Sequence, residues 1–412
     1  MKAILERGSF PIKNIQISIG GSKSESNRLL ILQAQLPNIS IENLSESDDT
    51  VVLQNAIKKS AGIIDIHHAG TAMRFLTAYF SAKEGVEITL TGSLRMRERP
   101  ISILVDALKS LGADIEYLQN EGFPPLKIKG KSLIKSEVKI EASVSSQYIS
   151  ALMLIAPMLP NGLKISVEGK TTSLPYIEMT LSLLKNLGIK GSFRNTEIVI
   201  SPAKNIEKNV FVVESDWSSA SYFYSFVALS ENGELTLQSF SKESLQGDAA
   251  LVHIFDSLGV QTIFNISEKS ISLSKTNTEV PDFLHLDLSN TPDLAQTIAT
   301  TCFGLGIGCK LTGLHTLKIK ETDRLLALKT ELERLGASIY VDENSLILEN
   351  SSEILSNKTV ETYQDHRMAM AFAPLSLKAN LTINDAGVVS KSYPTFWEDL
   401  QKIGIKCEFE DS

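Results

Sequence analysis

The chain has few of the residues that mark a secreted, membrane or nucleic-acid-binding protein. It carries three cysteines in 412 residues. Cys302, Cys309 and Cys407 are odd in number and lack metal-ligand spacing, so a disulfide framework and a cysteine-built metal site are not expected, and the pattern fits a reducing compartment. Basic residues are outnumbered, with 40 Lys and Arg against 48 Asp and Glu and a net charge of −8. An excess of acid argues against a surface for nucleic acid or anionic membrane. Long apolar runs are also missing: Gln, Thr, Ser or Pro interrupts each one before the roughly 20 residues a bilayer span needs. There is no low-complexity tract and no long linker. Met1 leads into a mixed segment with Glu6 and Arg7 that has no targeting pattern, so a cytoplasmic protein is expected.

What is present is a repeat. Six apolar helices are predicted to start from polar peptides, at Ser24, Ala69, Ser145, Ser218, Pro292 and His366. GTAMRFLTAYF and SASYFYSFVAL are typical of them, and helices apolar on every side are buried. After each comes a strand-like segment: ISIENL, EITLTG, KISVEG, ELTLQS, KLTGL and LTINDA. Amphipathic helices then end at Gly112, Gly188, Gly259, Gly336 and Gly404, where a left-handed C-cap is wanted. VVLQNAIKKSAGIIDI reads as a sixth, weaker copy ending at Gly62. Each copy therefore reads strand, buried helix, strand, surface helix, strand, strand, one supersecondary unit used repeatedly.

A chain of 412 residues exceeds the usual single core, so two domains of three copies each are expected. Gly20-Gly21 and Glu214-Ser215 are the candidate crossings. The predicted domains are 1–20 with 216–412, and 21–215, with IKNIQISI completing the C-terminal one. A cleft between them would collect the six polar helix starts. Helix N-termini carry partial positive charge and unpaired N–H groups, so such a centre would hold anions.

The polar openings carry the chemistry. GGSKSESNR offers Lys23, Ser24 and Arg28 to an anion at a helix start, with glycines allowing close approach. It lacks the ending of a nucleotide P-loop. HAGTAMR repeats the logic with Gly70, Thr71 and Arg74, and TGSLRMRERP sets Arg95, Arg97 and Arg99 beside Glu98 ahead of a Pro-initiated helix. VSSQY and TTSLPY add neutral donors in Ser145, Ser146, Gln147, Ser173 and Tyr176. NTPDLAQ puts Asp293 near a helix start, where a carboxylate stays ionised. IKETDRL gathers Lys320, Glu321, Asp323 and Arg324; on a helix Lys320 and Arg324 would share a face and repel unless an anion bridged them. YQDHRMAM places Asp365, His366 and Arg367 before an apolar helix, and Lys391 lies in VSKSYP. Each segment alone reads equally as a solvated helix cap, and a lone His is more often structural. GLGIG leads into a strand, so a dinucleotide fingerprint is not expected there.

Taken in order, GSKSESNR, AGTAMR, RMRERP, SSQY, SASYF, KETDRL and DHRMAM resemble the EPSP synthase (3-phosphoshikimate 1-carboxyvinyltransferase) family from about residue 20 to 400. That resemblance implies a two-domain inside-out α/β barrel of the enolpyruvate-transferase kind, each domain with three βαβαββ repeats around buried helices. It implies transfer of the enolpyruvyl group of phosphoenolpyruvate to the 5-hydroxyl of shikimate 3-phosphate, releasing phosphate, on the route to chorismate and aromatic amino acids. Shikimate 3-phosphate would be held by Lys23, Ser24, Arg28, Ser145, Ser146, Gln147, Ser173, Tyr176, Asp293 and Lys320. Phosphoenolpyruvate would be held by Lys23, Gly70, Arg95, Gln147, Arg324, His366, Arg367 and Lys391. Asp293, Glu321 and Lys23 would be catalytic, with Asp293 the base on the 5-hydroxyl and Glu321 moving protons at C3. No cofactor and no metal are expected; the partners are the two small-molecule substrates, and the protein is expected to be a monomer.

Two positions depart from the family pattern: His68 and Thr316 stand where Asn is usual. Gly70 matches the form that binds glyphosate, and inhibition competitive with phosphoenolpyruvate is expected. The nearest alternative is the carboxyvinyltransferase acting on UDP-N-acetylglucosamine, whose usual loop Cys has no counterpart in TGSLRMRERP. A non-catalytic phosphometabolite binder is a different class. Asp293 and Glu321 argue against it, since carboxylates buried among bound anions add nothing to binding alone.

Overall fold

The computed structural model describes all residues except 9–12, 14, 142–144, 170–172, 205, 207, 352 and 412. The chain falls into two compact units, Met1–Gly21 with Glu214–Ser412, and Ser22–Val213. In the N-terminal stretch the strand is Ile15–Ile17; positions 12 and 14 of IKNIQISI lie outside the described residues, as do 144, 171 and 172 of VSSQY and TTSLPY.

One sheet plan recurs. Strand Ala61–Asp65 pairs in parallel with Glu87–Thr91, which pairs antiparallel with Leu126–Lys129, which in turn pairs antiparallel with Asp114–Tyr117. Glu137–Glu141, Leu163–Glu168, Glu197–Ile200 and Gly191–Arg194 repeat this order in the same unit. The larger unit has three such sheets. In one of them Ile15–Ile17 lies parallel to Glu234–Gln238. In another the N-terminal strand Lys2–Leu5 sits between Leu381–Ile383 and Cys407–Glu410. A parallel pair needs a crossover, and the buried helix supplies it.

The sixth copy is short. Its sheet is the parallel pair Asn209–Val212 and Ile39–Glu42, among the described residues. Gly62 is not its helix cap: the helix Asp48–Ala56 ends on Ile57 in right-handed geometry, and Gly62 lies inside the next strand with φ 91°. The helices at Gly112 and Gly336 do end on left-handed glycine, with φ 107° and 100°.

Each unit packs three helices at its centre. In the smaller unit these are Lys23–Gln35, Gly70–Ala82 and Ser146–Ile155; in the larger, Trp217–Leu229, Ala295–Leu305 and His366–Phe372. Their apolar faces are buried all round. Their hydroxyls are satisfied within the core, as where Thr77 Oγ1 donates to Met73 O at 2.7 Å and Thr301 Oγ1 to Thr297 O at 2.6 Å. The start at Pro292 is a 3-10 turn, Pro292–Leu294, and the α-helix follows from Ala295. Pro100 precedes rather than opens its helix, which runs Ser102–Leu111. All three cysteines are buried. Among the described residues no helix is long and apolar enough to cross a membrane.

Candidate functional site

The polar helix starts of each unit form a cluster, and each is described by itself. In the smaller unit Ser22 caps the helix Lys23–Gln35. The ammonium of Lys23 meets Asp49 Oδ2 at 3.1 Å. Arg28 is 2% exposed, and its guanidinium donates to Ser24 O (2.7 Å), Thr180 Oγ1 (2.8 Å), Ser150 Oγ (3.1 Å) and Tyr176 O (3.4 Å). It also lies 5.4 Å from the Phe75 ring centroid and 5.6 Å from that of Tyr176. Burial pulls its pKa down to about 10, against the pull of Tyr176 and Glu25. Arg28 thus ties three helices together.

Ser145 caps the helix Ser146–Ile155 by accepting from Gln147 N at 3.2 Å, and Gln147 Nε2 reaches Thr71 Oγ1 at 3.2 Å. Ser173 adopts left-handed backbone, φ 54°, at the start of Leu174–Asn186. A Cβ on Gly70 would come within 2.6 Å of Arg99 Nη1, so the glycine admits that guanidinium. Arg74 donates to Gly70 O (3.2 Å) and Pro100 O (3.1 Å). Arg95 is more exposed and pairs with Glu98 at 3.2 Å. Arg97 donates to Gly92 O at 3.0 Å.

In the larger unit Asp293 is the centre. Its carboxylate lies 2.8 Å from Arg324 Nη1, 3.2 Å from Arg367 Nη2 and 3.4 Å from Lys320 Nζ. Burial opposes its charge, but Arg367, Lys320 and Arg324 outweigh burial and hold its pKa far below the usual carboxylate range. Arg324 is 2% exposed. Besides Asp293 it binds Asp365 Oδ2 through Nε at 2.6 Å and Glu321 Oε2 through Nη2 at 2.7 Å. Burial lowers its pKa, and the three carboxylates, Asp365 first, more than restore it.

The helical i, i+4 pairing expected for Lys320 and Arg324 does not occur. Lys320 closes a 3-10 turn, and the α-helix starts only at Arg324 behind its cap Asp323. The two cations converge on Asp293 from different elements instead. Arg367 also donates to Asp293 O (3.2 Å) and Ser218 Oγ (3.4 Å). Lys391 Nζ donates to Gln364 O at 2.5 Å. His366 is buried with Nδ1 3.8 Å from Asp365 Oδ1, too far for a hydrogen bond. Thr316 is buried too, and its hydroxyl has no partner among the described residues.

Two acidic members, Asp49 and Asp248, escape the sequence reading, while Arg99 and Asp365 are named in their segments without a substrate role. Asp49 holds Lys23, Arg99 lies against Gly70, and Asp365 anchors Arg324. Asp248 accepts a hydrogen bond from Ser218 Oγ. Burial and then the Asp293 charge push its pKa up to about 6, while Arg367 pulls it down. Only QGD marks it in the sequence, and that tripeptide has no distinctive spacing.

Repeated α/β units whose central helices begin in clusters of Lys, Arg and buried carboxylate define a protein that handles small polyanions. The EPSP synthase (3-phosphoshikimate 1-carboxyvinyltransferase) family profile matches residues 38–400. The 3-phosphoshikimate 1-carboxyvinyltransferase of Bacteroides fragilis is 46% identical, covering 94% of this chain and 95% of its own. That of a Sulfurovum species is 36% identical over 95% and 98%. A solved EPSP synthase from Acinetobacter baumannii shares the fold with a TM-score of 0.77, at 19% identity and full coverage of both chains. The chain belongs to the EPSP synthase family.

Proposed function

We propose that the helix-start residues serve the family's reaction, joining phosphoenolpyruvate to the 5-hydroxyl of shikimate 3-phosphate with release of phosphate. In this reading shikimate 3-phosphate is met by Lys23, Ser24, Ser145, Ser146, Gln147, Ser173, Tyr176, Asp293 and Lys320, with Arg28 holding their helices in register. Phosphoenolpyruvate is met by Lys23, Gly70, Arg95, Gln147, Arg324, His366, Arg367 and Lys391, and Arg99 adds charge beside Gly70. The single observation that carries the reading is the convergence of Arg324, Arg367 and Lys320 on Asp293. A binder has no use for a carboxylate that competes with its ligand for three cations.

The same convergence sets how a base would work. As it stands Asp293 is too stabilised as an anion to accept a proton readily. A phosphate carries nearly two negative charges. Once one lies among Lys320, Arg324 and Arg367, it draws on the same cations and raises the basicity of Asp293. Asp293 then takes the 5-hydroxyl proton as that oxygen bonds to C2 of phosphoenolpyruvate. Glu321 delivers a proton to C3 as that bond forms, which balances the addition. Loss of a C3 proton to Glu321 then expels phosphate and restores the enol double bond. Base strength is thereby tied to occupancy.

The experiment is phosphate release with both substrates and with each alone. Release only with both supports the reading. Release from phosphoenolpyruvate alone, or none with both, overturns it. UDP-N-acetylglucosamine in place of shikimate 3-phosphate is expected to give no release. We place the chain in the cytoplasm as a monomer.

A further inference from the structure

Ahead of the helix His366–Phe372 the backbone makes a turn that its sequence does not favour. Asp365 N donates to Thr362 O at 2.8 Å, and the two residues between, Tyr363 and Gln364, have φ of 53° and 56°. That is a type I′ turn, which ordinarily takes Asn and Gly. Here it holds a tyrosine and a glutamine, so something outside the turn maintains it.

The surrounding contacts name the agent. Glu331, on the helix Arg324–Arg334, is fully buried. Its Oε1 accepts from Tyr363 OH at 2.6 Å, and its Oε2 accepts from Glu361 N at 3.1 Å and from Arg334 Nη1 at 2.8 Å. Arg334 Nη1 also donates to Thr359 O at 2.8 Å. One carboxylate therefore fastens residues 359–363 to the helix that begins with Arg324. The far side of the turn delivers two groups to the cation cluster. Gln364 O accepts from Lys391, and Asp365 Oδ2 grips Arg324 Nε.

We infer that Glu331 is a positioning residue that, with Tyr363, holds the Thr362–Asp365 turn in left-handed geometry and thereby sets Arg324 and Lys391 for phosphoenolpyruvate. Glu331 touches no proposed substrate contact directly. The substrate half of this inference rests on the proposed function, whereas the turn itself does not.

Two readouts separate them. In E331Q the Asp365 amide should exchange with deuterium about tenfold faster, because a side-chain amide replaces one of the two acceptors. In the same variant the KM for phosphoenolpyruvate should rise on the order of tenfold while that for shikimate 3-phosphate moves less than about twofold. Y363F, at a partly exposed position, should move both readouts the same way by about threefold. Adding Q364G to E331Q supplies the residue the turn prefers and should restore most of the exchange protection and the KM. Unchanged Asp365 exchange in both single variants would overturn the inference, as would equal rises in both KM values or a double variant no better than E331Q. Wild-type protein inactive with both substrates would sink the reaction, and the exchange data would still decide the turn.

Discussion

Arg324 shows what one side chain must satisfy here. Its three nitrogens face Asp365, Asp293 and Glu321, a geometry only a planar fork can span. Arg324→Lys keeps the charge but leaves buried carboxylates short of donors. It should lower stability by about 3 kcal/mol and turnover by at least about 100-fold. Urea unfolding and phosphate release measure the two; a variant within about 0.5 kcal/mol of wild type would show that the fork is dispensable. Asp248 makes a prediction of opposite character. Its native pKa of about 6 lies above the unfolded value. Its contribution to stability is therefore complete below about pH 4 and is lost as pH rises through about 6. Asp248→Asn cannot ionise, so its stability relative to wild type should improve by about 2 kcal/mol between pH 4.5 and 7.5. A difference independent of pH would contradict that origin.

At the scale of elements, the glycine-ended amphipathic helices were legible because a left-handed cap has a strong residue preference. Gly112→Ala isolates that term, since an added Cβ there meets nothing within 4 Å. It should cost about 1 kcal/mol in urea unfolding without changing turnover. A loss of activity at full stability would mean the cap does more than end a helix. The buried helices were legible from apolar residues on every side, and the strands that follow them from alternation. Other features were not. Gly62 looked like a cap because a glycine follows a helical run, yet the run had already ended and the glycine serves a strand. Lys320 and Arg324 looked helical from their spacing, but Asp323 caps the helix after Lys320 has passed. The Thr362–Asp365 turn gave no signal at all, because Tyr363 and Gln364 lack the preference that turn type needs. Its support lies in Glu331, thirty-odd residues upstream.

At the scale of the whole molecule, the repeat accounts for most of the architecture. Long-range exchange of strands accounts for the rest. Lys2–Leu5 completes a sheet with the last strand of the chain, and Ile15–Ile17 completes another with Glu234–Gln238. Only counting copies in the sequence hints at either pairing. The site residues follow the same division. Those inside the quoted motifs could be read from the sequence, whereas Asp49 and Asp248 come from elements whose approach is set by tertiary packing. The chain is acidic, at −8 overall, yet Lys23, Arg324 and Arg367 stand where central and flanking helices begin. In the proposed reaction Asp293, restrained by Arg324, Arg367 and Lys320, becomes the base as both substrates bind. Asp293→Asn tests it most directly through turnover and shikimate 3-phosphate affinity measured side by side. Turnover should fall at least about 1,000-fold while affinity stays within about fivefold. Turnover within about tenfold of wild type would contradict the account.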